Sequence, residues 1–270
     1  MTDLEGRTAI VTGAGGGNGS AIAAALCGGG ARVVCADLDG DSAERTAHEL
    51  RSKGAEAVGV AADHTVGDDC LRTVELALSN FNSVDVLVNN AGIALTGTAL
   101  NVTEADLLRQ LRINVLGPLL MSQAVLPPMM EQHSGSIVMI ASIAGVAARP
   151  GQAPYVISKH GLIGLMRSLA VDYARYGIRV NAVCPEFIRT AMTEAYIADV
   201  ARRQATSVDD TVGELGDVFP LRRLGDPTDV AAATLHFASS ASAWVTGQTY
   251  VLDGGLTLVR PQPARPRKLS

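Results

Sequence analysis

The chain has 270 residues, 47% of them hydrophobic and 18% charged, with a formal net charge of −5. That composition excludes a disordered segment, and the length suits one α/β domain with a full core. The mild acidity leaves no basic stripe for nucleic acid. The acidic start Met1-Thr-Asp-Leu-Glu-Gly leads straight into a strand and does not read as a signal peptide. No apolar run reaches membrane-spanning length, so a cytoplasmic protein without membrane contact is expected.

In chain order, apolar β-branched runs stand at Thr8–Thr12, Arg32–Asp37, Ala57–Ala62, Val84–Asn89, Ser136–Ser142, Arg179–Cys184 and Thr249–Leu252. Such runs suit strands buried on both faces of a parallel sheet. Between them lie helical stretches, among them Ser42–Lys53, Asp68–Phe81 and the largely apolar Pro154–Tyr176. This rhythm predicts one α/β domain over residues 1–260, a Rossmann-type doubly wound parallel sheet of about seven strands with helices on both faces. The rhythm breaks between Phe187 and Gly225, where Met192, Tyr196, Ile197, Val200, Val212, Leu215 and Phe219 fit one or two short helices closing over a site as a lid. The proline-rich basic tail, 261–270, reads as a flexible terminus.

Cys27, Cys35, Cys70 and Cys184 form no CxxC pair, and the five histidines have no ligand spacing. The cysteines therefore read as small hydrophobes, and no metal site is expected.

The first strand runs into Thr12-Gly13-Ala14-Gly15-Gly16-Gly17-Asn18-Gly19 and then a helix. Glycines there let the backbone turn tightly and approach a pyrophosphate, which the helix N-terminus attracts. Asp37 ends the second strand, where a carboxylate accepts hydrogen bonds from ribose hydroxyls. It would repel a 2′-phosphate, and neither Gly16 nor Leu38 offers a basic side chain, so NAD is favoured over NADP.

With these residues the chain resembles the short-chain dehydrogenases/reductases over nearly its whole length. The glycine spacing Gly13, Gly17, Gly19, the Asn89-Asn90-Ala91-Gly92 motif and the closing Asp253-Gly254-Gly255 all follow that family. The resemblance implies a catalytic set of Asn114, Ser142, Tyr155 and Lys159. It implies cofactor contacts from Asn18, Asp63, Asn90, Ala91, Gly92, Pro185, Ile188 and Thr190, and from Tyr155 and Lys159 themselves. It also implies a homotetramer built through helices around Leu107–Met121 and Pro154–Tyr176.

Tyr155 and Lys159 are four residues apart, hence on one helix face. A nearby ammonium, with the charge of oxidised nicotinamide, lowers a tyrosine pKa, so the residue can exchange a proton with an alcohol or ketone. Ser142 can hold the substrate oxygen. In the family, the asparagine matching Asn114 holds a water that links the lysine to solvent. The expected pocket walls Ile93, Ala94, Leu95, Ile143, Ala144, Val146, Gln152, Phe187 and the lid are mostly apolar, which favours a hydrophobic secondary alcohol or ketone as the small-molecule substrate. The alternative is a catalytically silent NAD-binding sensor or scaffold.

Two positions depart from the family pattern. Asn18 stands where an apolar residue is common, and Glu186 follows Pro185 where glycine is common. Glu186 either meets a polar substrate group, favours NAD⁺ over NADH, or turns to solvent.

Overall fold

A computed structural model describes residues 4–259. The tail 261–270 lies outside the described residues. Seven strands form one sheet: β1 (Thr8–Thr12), β2 (Arg32–Asp37), β3 (Ala57–Ala61), β4 (Val86–Asn89), β5 (Gly135–Ile140), β6 (Ile178–Pro185) and β7 (Thr249–Leu252). All neighbours run parallel in the order β3-β2-β1-β4-β5-β6-β7.

Successive side chains on a strand point to opposite faces, so each strand feeds two cores. Ile10, Leu87, Ile137 and Val180 face one layer of helices: α3 (Gly67–Phe81), α5 (Gly117–Glu131) and α6 (Ala153–Tyr173). Val11, Val33, Val88 and Val183 face the other: α1 (Gly17–Gly28), α2 (Gly40–Ser52) and α9 (Pro227–Ala238). Strands β1, β4 and β5 are buried along their whole length and read as continuous apolar runs, while the edge strand β7 keeps Tyr250 and Val251 exposed.

The chain winds from β1 to β3 on one side, then crosses to β4 on the other side of β1. The carboxyl ends of β1 and β4 therefore flank a crevice, the place where open α/β sheets bind ligands. Strand limits agree with the sequence reading to within two residues. The largest differences are that β4 begins at Val86 and β5 stops at Ile140. Ser142 ends the latter run because its hydroxyl caps the 3-10 turn Ile143–Gly145, accepting from Ala144 N–H at 3.1 Å.

One expectation needs correction. The helix running through α4 (Glu104–Leu111), a π-helical turn (Arg112–Leu116) and α5 is long and apolar enough to cross a membrane by length and composition, contrary to the reading that no run is. Half of its apolar window is buried inside the fold. It carries buried Gln110 and Asn114 and two interior prolines, Pro127 and Pro128.

The stretch after Phe187 forms α7 (Ala191–Gln204) and α8 (Val208–Gly216). These helices rest on a small core of Ile197, Phe219 and Leu224.

Candidate active site

The glycine turn is shaped by close approach. Gly13 has φ +65°, and a Cβ there would stand 2.9 Å from Ala91 Cα. At Gly19 a Cβ would lie 1.9 Å from the Gly13 carbonyl oxygen, so no side chain fits. The turn is clamped to β4's end by Asn90, whose Nδ2 donates to the carbonyls of Thr12 and Gly13 at 3.0 and 3.1 Å. Thr12 Oγ1 accepts from the N–H groups of Asn90 and Ala91, both at 3.1 Å. Gly17 opens α1 and lies against Thr190, which caps α7 in a reciprocal box with Thr193.

Asp37 Oδ2 accepts from Gly15 N–H at 2.8 Å and Oδ1 from Asp39 N–H at 3.0 Å. The carboxylate is thus fixed beside the turn, with Leu38 next to it 76% exposed. Asp63 lies beyond β3, with Oδ1 accepting from Thr65 N–H at 2.8 Å. Pro185 ends β6 against Leu252, and buried Ile188 bridges to Gly225. The glycines let the turn fold back tightly on itself and on the end of β4, which leaves the α1 N-terminus open to a pyrophosphate, with a carboxylate where ribose hydroxyls would meet it. These residues fit a dinucleotide.

Asn114 sits in the π-helical turn. Gly117 N–H reaches back to Arg112 O. Pro118 has no N–H to give the Asn114 carbonyl, and His64 donates Nε2–H to Ile113 O at 2.9 Å. The ring passes so near Gly117 that a Cβ there would lie 2.0 Å from it. Asn114's side chain is locked, accepting from Ile93 N–H at 2.9 Å and donating to Ile93 O and to Ser158 Oγ at 2.9 and 3.1 Å. An ideal Cβ on Gly92 would lie 3.2 Å from Asn114 Oδ1 and 3.8 Å from Lys159 Nζ, so both groups converge on that glycine.

Lys159 is buried, with Nζ donating to Ile140 O at 3.0 Å and standing 5.7 Å from the centre of the Tyr155 ring. Burial pulls the ammonium down to about 8. Tyr155 is pushed above its ordinary value by burial, and the neighbouring Ser142 hydroxyl opposes this. The negative charge of Glu186 adds to the upward push. The lysine-driven lowering anticipated from sequence does not appear in the protein alone, where desolvation disfavours the phenolate.

Glu186 is not turned to solvent. Its side chain is 6% exposed and pairs with Arg149 Nη2 at 2.7 Å, a partner that sequence reasoning missed. Only tertiary packing brings residues 149 and 186 together; their separation carries no local signal. Burial raises the Glu186 carboxyl, and Arg149 opposes that shift. The Oδ1 of Asn18 and the Oε2 of Glu186 are buried without a hydrogen-bond partner in the protein. All four cysteines are free thiols, and burial pushes Cys35 up to about 12, which keeps it an inert core thiol.

A cavity of about 140 Å³ lies past the end of β6, bordered by Glu186, Phe187, Phe219 and Leu252. Of the expected pocket walls, Phe187 and part of the 187–225 stretch border it, and the walls from 93 to 152 do not. A larger cavity of about 640 Å³, lined by Arg179, Trp244 and Asp85, lies at the amino ends of the strands and touches none of the residues above.

A family model described as enoyl-(acyl carrier protein) reductase matches residues 13–257. Oxidoreductase UcpA of Salmonella typhimurium is 38% identical over 260 residues, covering 96% of this chain and 97% of that protein. The chain belongs to the short-chain dehydrogenases/reductases. The 2-(S)-hydroxypropyl-CoM dehydrogenase 3 of Xanthobacter autotrophicus is 37% identical over 257 residues, covering 95% of this chain and 98% of that one. Among solved structures, a Burkholderia xenovorans protein assigned to the same family superposes with TM-score 0.88 at 34% identity, over 96% of this chain and all of that one. As a short-chain dehydrogenase/reductase, the protein is an oxidoreductase of a family that uses nicotinamide cofactors.

Proposed function

We propose that the protein interconverts a hydrophobic secondary alcohol and its ketone with NAD(H), Tyr155 acting as general acid/base. The observation that carries this reading is the convergence at one crevice. Tyr155 stands beside Ser142 and Lys159 at the carboxyl end of the sheet, next to a glycine cradle too tight for side chains.

Gly13, Gly17 and Gly19 with the α1 N-terminus would hold the pyrophosphate, and Asp37 the ribose hydroxyls. Asn18, Asn90, Ala91 and Gly92 would line the dinucleotide, with Leu38 and Asp63 at the adenosine end and Pro185, Ile188 and Thr190 at the carboxamide end. The Asp37 carboxylate beside uncharged Leu38 supports NAD over NADP, since a 2′-phosphate would meet a negative charge. When bound, the cofactor supplies the hydride acceptor or donor and, oxidised, a positive charge.

The chain's own residues handle the proton. Ser142 Oγ holds the substrate oxygen, and the Tyr155 hydroxyl exchanges the proton with it. Lys159, held in place by Ile140 O, supplies positive charge beside the phenol. Asn114 fixes Ser158 and the 93 backbone around the lysine, from where a proton can leave towards solvent. The helices α7 and α8 act as a lid. Exposed Leu108, Ile157 and Val171 on α4 and α6 support a homotetramer formed through those helices; a monomer in sedimentation at micromolar concentration would remove that part.

The test is a panel of hydrophobic secondary alcohols with NAD⁺ and ketones with NADH, with NADP(H) in parallel, read by absorbance of the reduced nicotinamide. Turnover with NAD(H) that Tyr155→Phe abolishes is the expected result. Tight NADH binding with no turnover across the panel would replace it with a sensor or scaffold role.

A further inference from the structure

Glu186 is a carboxylate whose burial the family chemistry does not call for. Its charge works against the Tyr155 phenolate, and an ion pair with half-exposed Arg149 returns little stability. Leaving a buried charged oxygen unpartnered costs more than such a pair returns. One oxygen faces Arg149; the other, Oε2, has no protein donor.

Its position is set by the sheet. Ile140 pairs with Val183, so the register carries Ser142 level with Pro185, and Glu186 is the next residue along. The carboxylate therefore lies at the same end of the sheet as Ser142, and its charge reaches the Tyr155 phenol that Ser142 touches. Arg149 belongs to an exposed stretch, 146–150, and its own side chain is 43% exposed, so water screens its hold on the carboxylate. The cavity past the end of β6 borders Glu186.

We propose that Glu186 Oε2 accepts a hydrogen bond from a second hydroxyl of the substrate, one or two carbons from the reacting carbinol. The preferred substrates are then diols and hydroxy ketones with an otherwise apolar frame. A substrate carboxylate would meet the charge of Glu186, and a substrate ammonium would meet Arg149. A neutral hydroxyl donor avoids both penalties.

The inference rests on the dehydrogenase reading, and the experiment separates the two. Cyclohexane-1,2-diol is compared with cyclohexanol, and butane-2,3-diol with butan-2-ol, for wild type, Glu186→Gln and Glu186→Ala. Turnover with NAD⁺ is followed by absorbance, and binding of each alcohol to the NAD⁺-loaded protein by calorimetry. The expected result is a diol-over-alcohol ratio of kcat/KM that drops about 10- to 100-fold in Glu186→Ala, with the same direction in binding. The near-isosteric Glu186→Gln, checked by thermal melting, guards against a variant that merely fails to fold. An equal ratio in wild type and both variants overturns the proposal, as does a loss confined to NAD⁺ affinity. If no alcohol is turned over, the dehydrogenase reading fails while calorimetry still decides. Diol-selective binding lost in the variants sustains the role of Glu186, and indifferent binding ends it.

Discussion

The clamp between the glycine turn and the end of β4 is built from polar groups that satisfy one another. Asn90 binds two carbonyls of the glycine turn, Thr12 Oγ1 takes two N–H groups, and Asp37 is fixed by Gly15 and Asp39. Outside that clamp, Asn18, Asn89 and Glu186 each keep a bare buried oxygen, and α7 and α8 rest on a core of three residues. A cradle that the protein completes by itself can serve the same ligand in many relatives. An end that the protein leaves incomplete is where one member takes its own substrate.

The strongest way to test that contrast is to remove the proton carrier while sparing the cradle. Tyr155→Phe is expected to lower kcat/KM by about 10²- to 10⁴-fold. NADH affinity, measured by fluorescence titration, should stay close to wild type, because the Asn90 clamp and Asp37 are untouched. Parallel loss of both would mean that the two regions are not separable.

Lys159 stands where the regions meet, and its burial gives a signed pH effect. Its ammonium falls from the ordinary 10.5 to about 8 in the folded protein. Between those values the unfolded chain holds the extra proton, so stability rises with pH across that window. The cost is fully present below pH 8 and gone above about 10.5. Relative to wild type, Lys159→Met should therefore look better at pH 7 than at pH 10.5, by about 3 kcal/mol. Urea unfolding of both proteins at the two pH values measures it, and a pH-independent difference would contradict the assigned burial cost.

Asp37→Ala tests the cradle itself. Losing hydrogen bonds to a charged acceptor should weaken NAD⁺ by about tenfold or more, while NADP⁺ gains from the removed repulsion. A kcat/KM ratio of NAD⁺ to NADP⁺ unchanged by the substitution would take specificity away from this carboxylate.

The same contrast explains what was legible in the sequence. Strands buried on both faces announce themselves as short β-branched runs, which is why Thr8–Thr12 and Arg32–Asp37 match residue for residue. The glycine turn, Asp37 and Tyr155–Lys159 are local patterns, and local patterns survive without coordinates. Arg149 against Glu186 and His64 against Gly117 are contacts between distant segments, visible only after folding. The widened turn at Asn114 did have a signal in Pro118, which removes the N–H that an α-helix needs there. The direction of the Tyr155 shift was hidden for another reason: sequence gives the neighbours of a phenol but not how much water it loses.

The smallest effect is the most diagnostic, because its two parts have opposite signs. Asn18 carries a buried amide oxygen without a protein partner. Replacing such a group by an apolar one of similar shape removes a desolvation penalty, so Asn18→Leu should raise the stability of the cofactor-free protein by about 1 kcal/mol. If that oxygen serves the cofactor, the same substitution should weaken NADH binding by about two- to tenfold. Thermal melting without cofactor and fluorescence titration with NADH read the two parts separately. Gain in one and loss in the other marks a group held ready for a ligand. Gain in stability with unchanged affinity would place Asn18 outside the cofactor contacts and leave the proposed ligand role to Glu186.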